Sequence, residues 1–233
     1  MSLTVKKTIT RYIPRIVFIL ILIAFGIFVV RVALFEAKYY KEKEGSTRAT
    51  AEIVGDIASS DNQELSSEPI TLSQIQSYFV PADQPRYLTI EKLGILNARV
   101  ISVGVDKKGQ LQTPNSIYDA AWYNKSAKPG KGGTSIYNGH SGVGGSRGIF
   151  KNLASLTAGD LIKIEMGDGT IHTYRVYDNF EVKLEEANKK MKMLTTSPVE
   201  GEESISIITC TGEYSLKQKT YLARQFLRAT KIN

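Results

Sequence analysis

The apolar positions fall into two unlike regimes. From Ile16 to Val30 the chain reads IVFILILIAFGIFVV, fifteen residues without a charge, then Arg31 and Val-Ala-Leu-Phe. Counted to Phe35, that run makes a helix about 30 Å long, the thickness of a bilayer's hydrocarbon core. A helix apolar all round at this length does not suit a small soluble protein, and Arg31 lies one turn from its end, where its stem can carry the charge to the headgroups. The stretch after Val30 offers a poor small-x-small cleavage site, so the run reads as a retained anchor and not a cleaved leader. Lys6, Lys7, Arg11 and Arg15 precede it, while Arg31, Lys38, Lys41 and Lys43 follow, a near-even count. The short N-terminal tail reads as inside, which puts the rest of the chain outside.

After the anchor the pattern changes. Residues 36–84 are polar and turn-rich, with apolar residues too scattered for a sustained period, and read as a tether. Only Thr71–Phe79 shows a helical face, through Leu72, Ile75, Gln76 and Phe79. From Arg86 onward short alternating runs dominate. Tyr87–Leu93 and Ile95–Val103 are broken at Gly94, and Ile136–Tyr137 lies in a glycine-bounded run. Leu161–Ile164 and Ile171–Tyr177 flank Gly-Asp-Gly, a strong hairpin signal. Ser204–Thr209 and Tyr221–Leu227 complete the set, and short helices are expected at Ser116–Trp122, Ile149–Ser155 and Glu185–Leu194. Frequent short strands without regular strand–helix alternation predict a mostly β domain, an antiparallel barrel or sandwich. The division is therefore a tail at 1–15, a transmembrane segment at 16–35, a linker at 36–84 and one folded domain at 85–233.

Charge sharpens the picture. The chain of 233 residues carries a formal charge of +7, with 30 basic and 23 acidic side chains. Residues 1–84 hold 9 of each, and residues 85–233 hold 21 basic against 14 acidic, so the whole excess lies in the domain. That suits an anionic neighbour. No basic helix, finger spacing or aromatic-interleaved RNA motif points to nucleic acid. A single cysteine excludes a disulfide framework and multi-cysteine metal sites, and two histidines leave little for a His-rich centre.

The single thiol, Cys210, stands at the lip of the Ser204–Thr209 strand, where the chain is expected to turn to loop. A free cysteine is most often buried filler. As a nucleophile it needs a base and a positive charge nearby. His140, in Tyr-Asn-Gly-His-Ser-Gly, follows an apolar strand and opens a glycine-rich stretch (139, 142, 144, 145 and 148), and imidazole suits proton transfer near neutral pH. Those glycines would let the backbone approach a ligand, but they match no nucleotide-binding loop. His172 lies mid-hairpin and reads as a surface strand residue. Arg224, fourteen residues after the cysteine, falls on the returning strand, where its guanidinium can face the same cleft and stabilise an oxyanion.

Ser-Ile-Ile-Thr-Cys (206–210) resembles the Thr-Leu-x-Thr-Cys signature of sortases. Gly-His about seventy residues upstream and Arg on the next strand complete the resemblance. So do Tyr-Leu-Thr-Ile-Glu-Lys-Leu-Gly-Ile at the domain start, Trp-Tyr…Pro-Gly-Lys-Gly-Gly before the histidine and Phe-Lys-Asn-Leu…Leu-Thr-Ala-Gly-Asp after it. It covers residues 85–230, and the chain departs from the signature only at Ser206 and Ile207.

The resemblance implies a closed eight-stranded barrel, antiparallel or mixed, with short helices behind an N-terminal transmembrane helix. It implies an extracytoplasmic cysteine transpeptidase of bacterial membranes that cleaves a Leu-Pro-x-Thr-Gly-like sorting signal between Thr and Gly. Cys210 would form the thioacyl enzyme, His140 would move the protons, and Arg224 would stabilise the oxyanion and the signal peptide. The amine acceptor would be a peptidoglycan precursor or another surface protein. No cofactor is implied, and calcium activation, known in some class A members, is left open. The Trp-Tyr…Pro-Gly segment looks like classes D, E and F. The missing Asp-Pro-aromatic lid motif and the missing C-terminal apolar span tell against the pilin-building class C. Two alternatives remain: another thiol enzyme (an L,D-transpeptidase or cysteine peptidase) and a non-catalytic anchored binding domain.

Overall fold

A computed structural model describes residues 30–31, 65–107, 109–143 and 146–232. Contacts divide the chain into two units, residues 1–45 and 46–233. Of the first, only Val30 and Arg31 are described, and both are helical. The expected span at 16–35 otherwise lies outside the described residues, among which no helix is long and apolar enough to cross a membrane.

The second unit is built on ten strands. They are β1 (Pro85–Ile90), β2 (Ile95–Val103), β3 (Ala120–Tyr123), β4 (Thr134–Asn138), β5 (Gly142–Val143), β6 (Ser146–Arg147), β7 (Leu161–Met166), β8 (Ile171–Lys183), β9 (Ser204–Ser215) and β10 (Thr220–Lys231). Eight of them close a barrel in the order β1-β2-β3-β4-β9-β10-β8-β7, while β5 and β6 form a separate ribbon. The barrel is mixed: β2–β3 and β4–β9 run parallel, the remaining pairs antiparallel. This is the closed eight-stranded form of the expected β domain.

Among its described residues two α-helices punctuate it. Helix α1 (Leu72–Gln76) starts at a capping box in which Thr71 and Gln74 satisfy each other's backbone amides. It buries none of its residues, so the expected helical face of 71–79 is real but short. Helix α2 (Leu184–Lys190) runs into a 3₁₀ turn, Met191–Leu194, where a helix was expected. The helix expected at 116–122 is instead a turn leading into β3, whose Ala-Ala-Trp-Tyr is wholly buried. Buried on both faces, β3 carries no alternation by which a strand could be read. Of the helix expected at 149–155, only the 3₁₀ turn Leu153–Ser155 forms.

Side-chain alternation along the strands produces two cores. Leu88, Ile90, Trp122, Tyr137, Ile162, Ile164, Tyr174, Ile207 and Leu227 fill the barrel. Tyr123, Ile136, Val182, Ile208 and Phe226 point the other way and pack under Ala187, Met191 and Leu194 on the barrel's outer face. On β8 the inward side changes between Val176 and Asp178, at a bulge opposite Arg228 and Ala229.

At the start of β9, Glu203 draws several elements together. It accepts hydrogen bonds from the amides of Gly130 (2.8 Å) and Gly132 (3.0 Å) and from the Tyr174 hydroxyl (2.6 Å), with Lys231 Nζ at 3.6 Å. Burial alone would raise this carboxyl, but those donors and the lysine charge outweigh it and hold it below its ordinary value of 4.5. A group depressed on folding contributes stability that is present above its unfolded value and is lost as pH falls through its folded one. Thermal unfolding scans from pH 7 to 3 should therefore show a steeper acid loss in the parent protein than in Glu203→Gln. Parallel curves would show that Glu203 contributes nothing to acid stability.

Candidate active site

The three expected site residues sit on three neighbouring strands or just beyond them. Arg224 on β10 is the direct antiparallel partner of Cys210 on β9. Paired residues share a face, so both side chains project on the side of Ile208 and Phe226, the outer face of the barrel. The parallel β4–β9 register ends at Asn138 opposite Ile208. His140 follows two residues after the end of β4, as Cys210 follows two residues after Ile208 on β9. The intervening pair is held by Thr209, whose buried hydroxyl donates to the Gly139 carbonyl at 2.8 Å. That bond gives a physical role to the threonine preceding the cysteine.

Cys210 is partly exposed. The strand does not end beside it, as the pattern of the sequence suggests, but continues to Ser215. Immediately past the thiol lies a bulge, with Gly212 and Glu213 on β9 facing Leu222 on β10. Gly212 adopts φ +79°, a left-handed conformation that a side chain resists, and the bulge re-aims the rest of the ribbon.

Arg224 is buried, 2% exposed. Its Nη1 donates to the Tyr221 and Ala223 carbonyls, both at 2.9 Å, and its Nη2 to the Thr220 hydroxyl at 3.3 Å. These bonds along its own strand fix the plane of the guanidinium beside the thiol.

His140 is half-buried, and its Nε2 lies 2.8 Å from the Pro114 carbonyl. A carbonyl only accepts, so Nε2 carries the hydrogen and the neutral ring keeps its lone pair on Nδ1. Proton exchange with a bound group then runs through Nδ1. The ring is backed from the main chain as well, since Phe150 N donates to the His140 carbonyl at 3.0 Å. The Phe150 ring sits so close to Gly139 that a β-carbon there would lie 2.8 Å from it. The glycine at 139 thus serves packing and not ligand approach, and Gly144 and Gly145 lie outside the described residues.

Beside His140 runs the connection between β2 and β3, which carries Gln112 and Pro114. Asn138, buried on β4, donates from Nδ2 to the Gln112 carbonyl at 3.0 Å. This link, invisible in the sequence, ties the connection to the strand that delivers His140. His172 is not at the site: it lies near Lys131 and Asp168, its ring packed on Gly130. It is half-buried, where the sequence suggests a surface residue. Burial first, then the Lys231 charge, lower its imidazole below the ordinary value. Among the described residues no group of three His, Cys, Asp or Glu side chains is placed to hold a metal ion.

The Thr209 bond is open to test. Thr209→Val keeps the shape of the side chain and strips the Gly139 carbonyl of its donor, so it should cost about 1–2 kcal/mol of stability in urea titration. Thr209→Ser should restore most of it. Equal stability of the parent and the valine variant would remove this link from the site.

Comparison with known proteins follows the geometry. A search of curated proteins found no significant match. Among solved structures, the pilus-related sortase C of Group B Streptococcus shares 14% identity, covers 85% of this chain and 91% of its own, and gives a TM-score of 0.50. Sortase C-1 of Actinomyces oris shares 19% over 83% of this chain and 98% of its own, with a TM-score of 0.48. The Clostridium perfringens sortase D5 transpeptidase shares 18% over 70% and 90%, with a TM-score of 0.45. The first of these likenesses speaks to the fold alone. The family model for the sortase domain matches residues 88–231, nearly the whole described barrel. With well over half of its length matched, the chain belongs to the sortases, the cysteine transpeptidases that anchor proteins at bacterial surfaces.

Proposed function

We propose that this sortase cleaves a Leu-Pro-x-Thr-Gly-like sorting signal between Thr and Gly and passes the acyl group to an amine. The observation that carries this reading is the pairing of Cys210 with Arg224 on one face, and the β4–β9 register with the Thr209–Gly139 bond one residue before His140 supports it. The Cys210 thiolate attacks the threonine carbonyl carbon, and the resulting oxyanion is stabilised by the Arg224 guanidinium. The C–N bond breaks as protonated His140 delivers its Nδ1 proton to the glycine amine, leaving a thioacyl enzyme. An incoming amine then attacks the thioester, His140 Nδ1 takes its proton, and the thiolate departs. The amine is that of a peptidoglycan precursor or another surface protein. The partly exposed thiol is reachable by substrate, and the burial of Arg224 strengthens its field at the reacting carbonyl.

Incubation of the full chain in detergent with a fluorogenic Leu-Pro-x-Thr-Gly peptide and an amine acceptor tests this. Cleavage after Thr with transfer is expected, lost in Cys210→Ala and lowered about 10²–10³-fold in Arg224→Lys, which cannot hold the guanidinium geometry. Hydrolysis without any amine transfer would favour another thiol enzyme. An inert Cys210 that resists alkylation in the folded protein would favour a binding domain.

Membrane anchoring through residues 16–35, with the tail inside and the barrel outside, completes the reading and rests on the apolar run. Cys210 is the only cysteine, so it reports its own location. A membrane-impermeant maleimide should label it in intact spheroplasts of an expressing bacterium. Labelling only after lysis would overturn the orientation.

A further inference from the structure

The general acid of the proposed reaction is held by a loop, and that loop is held in turn by the tether. Segment 112–117 bears the Pro114 carbonyl that accepts from His140 Nε2. It is fastened at one end by Asn138 Nδ2 to the Gln112 carbonyl. At the other end Ile149 N donates to the Ile117 carbonyl at 2.8 Å. Between these fastenings a third contact comes from outside the barrel. Ser66, nineteen positions before the first strand begins, forms a parallel bridge with Ser116. Its amide donates to the Asn115 carbonyl at 2.8 Å, and its carbonyl accepts from Ile117 N at 3.0 Å. The tether thus adds one strand-like rung beside the residue that holds the imidazole. Ser66 itself is exposed, so apolar burial of its side chain does not explain the docking.

We propose that the Ser66 rung is a positioning element for His140. By bonding residues 115 and 117 it fixes the direction of the Pro114 carbonyl, and with it the Nε2–H tautomer and the aim of Nδ1 at the reacting centre. The inference rests on the proposed proton-transfer role of His140 for its kinetic consequence, while its structural consequence, the tautomer, is independent of that role. Both bonds that Ser66 makes to segment 112–117 are main-chain bonds, while its hydroxyl only accepts locally from Glu68 N at 3.3 Å, so the amide is decisive for the rung. Proline removes that donor; alanine keeps it. An acceptor carbonyl left to swing by a fraction of an ångström misaims the ring, and misplacement on that scale costs rate without costing binding.

The test uses the full chain in detergent, as parent, Ser66→Pro and Ser66→Ala, each with ¹⁵N-labelled histidine. The chain has only two histidines, so His172→Gln assigns the spectrum. In the parent and in Ser66→Ala, the neutral His140 ring should show a protonated Nε2 and an unprotonated Nδ1. In Ser66→Pro its two nitrogens should move toward the averaged shifts of a mixed tautomer, while His172, on another part of the barrel, stays unchanged and reports an intact fold. Turnover of the sorting-signal peptide should fall about tenfold in kcat with KM unchanged, and the pH–rate profile should shift with the tautomer. An unchanged His140 signal in Ser66→Pro overturns the proposal, whatever the turnover does. So does a fall in rate that Ser66→Ala shares. If no peptide is turned over by the parent, the reading of the reaction fails and the nitrogen shifts alone decide whether the tether braces the ring.

Discussion

The site depends on strand register more than on any single contact. Cys210 stands across from Arg224 because β9 and β10 pair residue for residue at that level, and β4, parallel to β9, leaves the sheet two residues short of His140. A slip of one residue in either pairing would send one side chain to the barrel interior, among Ile207, Tyr137 and Leu227. Closure of the barrel leaves no free edge at which such a slip could be accommodated, since every strand of the eight is paired on both sides. The placement of these residues is a property of the sheet and not of their own side chains.

The parallel pairs have a second consequence. Parallel neighbours cannot be joined by a tight hairpin and need a long connection. The one between β2 and β3, residues 104–119, runs beside the end of β4 and offers Pro114 to the His140 ring. The other parallel pair, β4 with β9, is bridged by everything from the glycine-rich ribbon to α2, and α2 covers the outer face below the thiol. The long connections that the topology forces on the chain thus run beside the residues at this level of the barrel. An antiparallel meander of the same eight strands would have short turns there and no such neighbours.

The sequence alone already showed the strands that alternate cleanly: the β7–β8 hairpin around Asp168-Gly169, β9 and β10 appear where period-two patterning places them. It concealed β3, whose four residues are all buried, and the ends of β9, because Thr-Gly-Glu after the thiol reads as a turn when it is a bulge inside a longer ribbon. The candidate trio comes from residue type and order, and what the sequence does not report is the pairing that sets Cys210 across from Arg224 and runs β4 beside β9. Parallel pairing of β4 with β9 brings together residues seventy apart, and no local pattern reports it. The supporting contacts were equally hidden. Asn138, Pro114 and Ser66 carry no chemical signature, and each matters through a main-chain group or an amide whose partner lies more than twenty residues away. His172 lies on β8, and the loop at Gly130 covers part of its ring.

Register must itself be fixed somewhere, and β9 is held by directional contacts at its start and again just before the thiol. At its start, Glu203 gathers two glycine amides and the Tyr174 hydroxyl, Ser204 N donates to the Gly133 carbonyl at 2.9 Å, and the hydroxyls of Ser204 and Thr134 lie 2.8 Å apart. Near the thiol, Thr209 holds Gly139. Between these two points β9 contributes Ile205, Ile207 and Ile208, apolar residues whose packing would tolerate small shifts along the strand. Hydrogen bonds do not tolerate such shifts, because their strength falls steeply with distance and angle. The directional contacts therefore sit where a shift would be most damaging, one residue before the strand begins and one residue before the cysteine. The apolar stretch between them supplies cohesion, and the polar ends decide which residue faces which. For a site assembled from three strands, that division of labour sets how closely a thiol, an imidazole and a guanidinium can be held at one carbonyl.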